Sequence, residues 1–196
     1  MNKNASGYCL FDTAIGACGI SWNARGITQL QIADKDRVTT EKHIRARSGV
    51  EPETPPQHVS EVIELVRRYI DGERIDFSSV AVDIESVGDF RRKLYEALRT
   101  ISWGKTTTYG GLGKMIGGEA ADAREIGQAM GKNPVPIIIP CHRVLAAGNR
   151  IGGFSAPGGI STKEKFLAME GVFAGVTEEE PVFPGLLATP QRRATR

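Results

Sequence analysis

Cys141 and His142 stand side by side in Ile139-Pro140-Cys141-His142-Arg143-Val144, at the end of the apolar run Asn133-Pro134-Val135-Pro136-Ile137-Ile138. A thiol beside an imidazole can serve several chemistries. Zinc wants a second Cys or His two to five residues away. None lies there, and Cys9, Cys18, His43 and His58 are scattered without ligand spacing, so no metal site is expected. A thiol hydrolase needs the imidazole within hydrogen-bond reach of sulfur. The apolar run reads as a buried strand, and neighbours on an extended segment point to opposite faces. A direct Cys141–His142 contact is then awkward unless a water or a turn at Pro140 bridges it. A buried inert thiol is the bland alternative. Against it, His142 and Arg143 form the electropositive setting that lowers a thiol pKa and yields thiolate. These residues alone leave the choice open.

The elements that would hold the pair differ between the two halves of the chain. GYCLFDTA, GACGISWN and GITQLQIAD alternate or run apolar between turn residues and read as strands, with Asn23-Ala24-Arg25-Gly26 as a hairpin turn. TTEKHIRARSG reads as a short helix capped by Thr39 or Thr40, and EPETPPQ as a loop. PPQHVSEVIELVRRYIDGE is a helix whose stripe is Val59, Val62, Ile63, Val66, Tyr69 and Ile70, ended by Gly72. VAVDI, 80–84, reads as a last strand. Residues 1–84 thus form a small α+β domain.

The second half is mostly helical. GDFRRKLYEALRTI places Phe90, Leu94, Leu98 and Ile101 on one face. TTTYGGLGKMIG and AADAREIGQAMG are two short helices joined by a glycine-containing turn, which matches a helix-turn-helix. Many αα-hairpins of this kind bind nothing. The second helix is built largely of Ala and Gly, with Arg124 as its one long cation. Major-groove readers usually carry several long polar side chains. A helix of small residues can instead approach a narrow minor groove, with one arginine reaching the base stack. The plain alternative is tight helix packing with Arg124 solvated beside Glu125.

Bulk properties narrow the class. With 196 residues, 40% hydrophobic and 24% charged, the chain can bury a core without staples. Three cysteines are no disulfide framework and suit a reducing compartment. No apolar run approaches membrane-spanning length, and MNKNASGYCLFD lacks a secretory h-region, so a cytoplasmic location is expected. Residues 85–172 hold twelve Lys/Arg against eight Asp/Glu, whereas 1–84 hold ten against twelve. The more basic second half fits a polyanion partner. The tail, 173–196, is broken by Gly175, Pro181, Pro184, Gly185 and Pro190 and reads as flexible.

NPVPIIIPCHRV, taken with TTYGGLGKMIG, AREIG and KEKFLAMEG, resembles the methylated-DNA–protein-cysteine methyltransferases, the O6-alkylguanine-DNA alkyltransferases, from about residue 86 to 172. The resemblance implies an α+β fold: a ribonuclease H-like N-terminal α/β domain with antiparallel strands over 1–84, then a mostly helical domain with the helix-turn-helix over 85–172. It implies that Cys141 accepts the alkyl group, that His142 takes the thiol proton through a water, and that Glu170 orients His142. Asn133 would pin the turn before the active segment. Tyr109 would press on the phosphate of the target nucleotide, and Arg124 would fill the gap left by the flipped base. Gly127 would belong to the DNA-facing surface. The Val144 carbonyl would read the guanine amino group, Ser155 would stand near O6, and Lys163 would support the same wall. The partner would be double-stranded DNA carrying O6-alkylguanine, met by a monomer without a cofactor. The reaction would be stoichiometric, because a thioether forms and nothing in the chain looks able to remove it.

The chain departs from the family pattern in one loop. Phe154 stands where tyrosine is frequent, and SAPGG reads as a two-residue insertion beside Ser155. A non-catalytic, alkyltransferase-like damage-binding protein is the nearest rival. Such proteins lack the nucleophile, so Cys141 speaks against it. A thiol enzyme acting on a small molecule is the rival of a different class.

Overall fold

The computed structural model describes residues 6–117 and 123–174. Its first part is an antiparallel meander, β1 (Gly7–Thr13), β2 (Gly16–Asn23) and β3 (Gly26–Gln31), in the order β1-β2-β3. The two faces of β2 are used differently. Cys18, Ile20 and Trp22 enter the main core, while Gly19 lies against Ile44 of helix α1 (Arg37–Ser48). The β2–β3 turn is the expected one. The Asn23 side chain accepts from the Arg25 and Gly26 amides at 2.8 and 3.2 Å.

Three expectations are corrected. Helix α1 begins before Thr39, because Asp36 caps it: Oδ1 accepts from Thr39 N at 2.7 Å, and an aspartate is the stronger cap. Residues 80–84 are not a strand. They touch β3 through one parallel bridge, Ile27 to Val82, because a turn at Val80 and a 3-10 helix over Glu85–Val87 bound the segment on both sides. The apolar run before Cys141 is not a strand either; it is a sequence of tight turns.

Helix α2 (Gln57–Ile70) buries every residue of the stripe read from sequence, Val59, Val62, Ile63, Val66, Tyr69 and Ile70. Helix α3 (Asp89–Arg99) buries Leu94, Tyr95 and Leu98. After a two-residue strand β4 (Thr107–Thr108), Thr108 caps helix α4 (Tyr109–Met115) by accepting from Gly111 N at 3.1 Å. Helix α5 (Ala123–Gly131) packs on α3 and α4. The turn expected to join α4 and α5 falls on 118–122, outside the described residues. A parallel pair of β4 with β5 (Val144–Leu145) ties that region to the segment after Cys141, and α6 (Gly159–Met169) follows. The tail reading concerns residues that, beyond 174, lie outside those described.

One buried cluster runs through both halves. Ile20, Trp22, Leu30 and Tyr69 share it with Leu98, Ile139, Cys141 and Phe166. A backbone bond, Leu30 N to Pro134 O at 2.9 Å, fastens β3 directly to the turns before Cys141. Among the described residues no helix is long and apolar enough to cross a membrane.

Gly26 is where 80–84 lies closest to the sheet. Its φ is +149°, and an added Cβ would stand 2.5 Å from the Ala81 carbonyl oxygen. Gly26→Ala is expected to lower stability by about 2 kcal/mol or more, read as a fall in the urea midpoint. An unchanged midpoint would mean that this contact yields freely.

Candidate active site

The turns before Cys141 are built around Asn133. Its Oδ1 accepts from Val135 N at 3.0 Å, and its Nδ2 donates to Ile139 O at 2.8 Å and towards Cys141 Sγ at 3.2 Å. Ile139 N bonds to Val135 O at 2.8 Å. Pro134, Pro136 and Pro140 have no amide hydrogen to give a ladder, so the run folds on itself. Ile137 sits at φ 74°, a conformation that a β-branched residue adopts only when its surroundings hold it. Pro140, at φ −82° and ψ 65°, closes a γ-turn with Cys141 N bonded to Ile139 O at 2.8 Å. Cys141–Arg143 then form one 3-10 turn. Cys141 and His142 are therefore not on an extended segment.

His142 turns into the interior, where a single carboxylate organises the site. Glu170 follows the last turn of α6 and receives five donors. Arg143 grips it with Nε and Nη2 at 2.9 and 2.8 Å. His142 Nε2 lies 3.0 Å from Oε1, Tyr69 donates its hydroxyl at 2.7 Å, and Gly104 N donates at 3.3 Å. Arg143 also donates to the carbonyl of Ile101. His142 and Glu170 are both buried.

The charges follow from this packing. Burial pushes the Glu170 carboxyl up, but hydrogen bonds from His142 and Arg143, together with the Arg143 charge, outweigh it and hold the group at about 2. Burial lowers the His142 imidazole, and Glu170 only partly restores it. The resting ring is neutral. With a carboxylate opposite Nε2, the proton sits on Nε2 and Nδ1 is the basic nitrogen. Nδ1 is buried and has no hydrogen-bond partner among the described residues. Burial raises the Cys141 thiol, opposed by the Asn133 hydrogen bond and by the Lys163 charge. The expectation that Arg143 would help to generate thiolate is overturned. Its guanidinium is spent on Glu170 and Ile101, and the cation that acts on sulfur is Lys163.

Lys163 is buried and donates from Nζ to Val144 O at 2.6 Å. Two clefts of about 290 and 260 Å3 meet at Cys141 and share Gly131, Phe154 and Ser155. The first is lined by Tyr109, Gly127 and Met130. The second opens towards β3 and α1, at Leu30, His43 and Arg47. The Tyr109 ring lies between Gly127 and Gly152: a Cβ at Gly127 would stand 3.6 Å from it, and one at Gly152 only 3.0 Å from its hydroxyl. Arg124 lies exposed in the first turn of α5, one turn before Gly127. Ser155 is exposed at the rim of both clefts. Thr162 Oγ1, in the first turn of α6, donates back to Pro157 O of the SAPGG loop at 2.7 Å, and the last glycine of that loop, Gly159, begins the helix.

This arrangement can be set against known proteins. Residues 89–172 match the family model described as 6-O-methylguanine DNA methyltransferase, DNA binding domain. A methylated-DNA–protein-cysteine methyltransferase of Sulfolobus acidocaldarius is 32% identical over 165 residues, 84% of this chain and 93% of that protein. The chain belongs to the methylated-DNA–protein-cysteine methyltransferase family. The Mycobacterium tuberculosis O6-methylguanine methyltransferase structure superposes with a TM-score of 0.67 at 31% identity, covering 85% of this chain and 93% of that one. A Mycobacterium tuberculosis OGT crystallised in complex with DNA gives the same TM-score at 31% identity over 83% and 91%.

Of the family residues read from sequence, the fold gathers Cys141, His142, Val144, Lys163 and Glu170 into one buried group with half-buried Asn133 beside it. Tyr109, Gly127 and Ser155 line the cleft before the sulfur, and Arg124 lies on α5 one turn before Gly127. Sequence reasoning missed Tyr69 and Gly104 as partners of Glu170. Tyr69 was legible only as one member of an apolar stripe, and the donor at Gly104 is a backbone amide with no side-chain signal.

Two outcomes test this geometry. Glu170 is held at about 2 against an ordinary 4.5, and His142 below its ordinary 6.5. Both bind protons more weakly folded than unfolded. Their stabilisation is complete above the unfolded values and is lost as pH falls, His142 first and Glu170 between 4.5 and about 2. The carboxyl accounts for on the order of 3 kcal/mol. In urea titrations Glu170→Gln should be weaker at neutral pH yet decline less across that acid window; a parallel decline would place the acid sensitivity elsewhere. Separately, Gly152→Ala should displace the Tyr109 ring and slow any chemistry at Cys141 about tenfold, with stability little changed. A rate equal to that of the parent would show that Tyr109 moves at no cost.

Proposed function

We propose that this chain repairs alkylated DNA by one irreversible transfer, moving the methyl or other alkyl group from O6 of guanine in duplex DNA to Cys141 Sγ. The observation that carries the reading is a cysteine sulfur in the lining of a cleft, held by Asn133 and adjacent in the chain to a buried His142–Glu170 pair whose nitrogen Nδ1 has no partner among the described residues. The thiol passes its proton through a water to His142 Nδ1. Sulfur attacks the alkyl carbon, the S–C bond forms as the C–O6 bond breaks, and the electron pair goes to O6. The purine regains its keto form by taking one proton at N1, which balances the proton lost from the thiol. A thioether remains, so each molecule reacts once.

The target base sits inside the duplex and must be flipped out. In this reading α4 and α5 form the helix-turn-helix, and the Ala/Gly surface with Gly127 approaches the minor groove. Tyr109 presses on the phosphate of the target nucleotide and Arg124 fills the vacated stack. Lys163 occupies one lone pair of the Val144 carbonyl, and the second reads the guanine amino group. Ser155 stands at O6. Residues 1–84 form a domain that braces the active turns through the Leu30–Pro134 bond. The setting is cytoplasmic, on the nucleoid.

Intact-protein mass spectrometry after incubation with a duplex containing one O6-methylguanine tests this. One methyl group should appear on Cys141 and saturate at one per chain. Tight duplex binding with no mass gain would instead indicate a damage-binding relative. Cys141→Ala should lose transfer while keeping DNA affinity; residual transfer would move the nucleophile. Arg124→Ala should slow repair of duplex about tenfold or more, since unstacking costs a few kcal/mol, and leave reaction with the free modified base nearly unchanged. Equal losses on both would give Arg124 another role.

A further inference from the structure

Tyr69 belongs to α2, in the N-terminal part of the chain, far in sequence from Cys141. Its hydroxyl donates to Glu170 Oε1 at 2.7 Å and lies 3.1 Å from His142 Nε2. The ring packs edge-on against Phe77 and Trp103 and tilted against Phe166, with centroids 5.5 to 5.9 Å away. Its position is therefore set by packing, and its oxygen is the variable part.

Counting protons fixes what that oxygen does. Glu170 is a carboxylate and has none to give. Burial and the neighbouring Glu170 charge raise the phenol of Tyr69, so it keeps its one proton and spends it on Glu170. The hydroxyl oxygen then presents a lone pair to His142 Nε2, as Glu170 Oε1 does. Two acceptors face one ring nitrogen, and no donor does. The imidazole must keep its hydrogen on Nε2 and leave Nδ1 basic. The other charged groups of the neighbourhood are Arg143, committed to Glu170, and Lys163, committed to the Val144 carbonyl on the sulfur side.

We propose that Tyr69 is a positioning residue of the proton relay: its hydroxyl fixes the tautomer and orientation of His142, so that the N-terminal part of the chain supplies a piece of the reacting machinery. The proposal rests on the alkyl-transfer reading and deepens it. Loss of the hydroxyl leaves Nε2 with one acceptor and Glu170 with one donor fewer, so the ring can exchange tautomers.

The test uses the full chain with Tyr69→Phe, which retains the ring. Single-turnover transfer from an O6-methylguanine duplex should fall about tenfold, the scale on which partners that orient a histidine act. DNA affinity should not change. The pH dependence of the rate should shift, and the 15N resonances of the His142 ring should move from an Nε2–H pattern towards a mixed one. Fluorotyrosine at position 69, which keeps the hydroxyl and makes it more acidic, should restore most of the rate with graded 15N shifts. A folded Tyr69→Phe protein with parental rate, pH profile and ring shifts overturns the proposal. If Tyr69→Phe does not fold, the fluorotyrosine protein decides alone: ring shifts and pH profile identical to the parent overturn it. Absence of transfer in the parent chain overturns the alkyl-transfer reading itself, and this inference with it.

Discussion

The buried carboxylate of Glu170 is the constraint on which the site depends. An isolated charge in that position would cost several kcal/mol, and removing one partner from a buried pair typically costs about 3–5 kcal/mol. Here the charge is met by five donors from three separate places, the 3-10 turn at 141–143, α2 and the turn at Gly104, and Arg143 is itself held by donating to the carbonyl of Ile101. Each donor can reach Glu170 in only one arrangement of those segments. Satisfying the carboxylate therefore orients His142, and orienting His142 sets which face of the turn Cys141 presents.

Reactivity follows from a balance. Burial favours the neutral thiol. Asn133 and Lys163 oppose it through a hydrogen bond and a charge, and burial keeps the neighbouring His142 neutral. The protein thus keeps a protected thiol with a base beside it, in place of a standing thiolate. Under the proposed single transfer, that suits a thiol that must survive intact until it reacts. Arg143, adjacent in sequence to the pair, contributes by holding Glu170 and not by polarising sulfur.

The core couples the two halves. Phe166 and Tyr69 pack together across about a hundred residues of chain, and Leu30 binds the Pro134 carbonyl. A contact map drawn from local pattern would have separated these parts at residue 84. Hydrophobic burial is non-directional, so a stripe on α2 says that it is covered without saying by what.

The periodic elements were legible in the sequence because burial repeats at the period of the backbone. The three strands and the α2 stripe fall where they were expected, and the motif around Cys141 with Asn133, Lys163 and Glu170 pointed to the family. Local competition decided the rest. Asp36 took the cap from Thr39, and turns on either side reduced 80–84 to a single bridge. Three prolines and Asn133 turned an apolar run into a knot of short-range bonds. The sequence by itself determined which groups were available: one thiol, one neighbouring imidazole, one distant carboxylate. Only the tertiary structure decided their partners. Hydrogen bonds are directional and short, so Tyr69, Gly104 and Lys163 could make theirs only once the packing had brought them within about 3 Å of their acceptors.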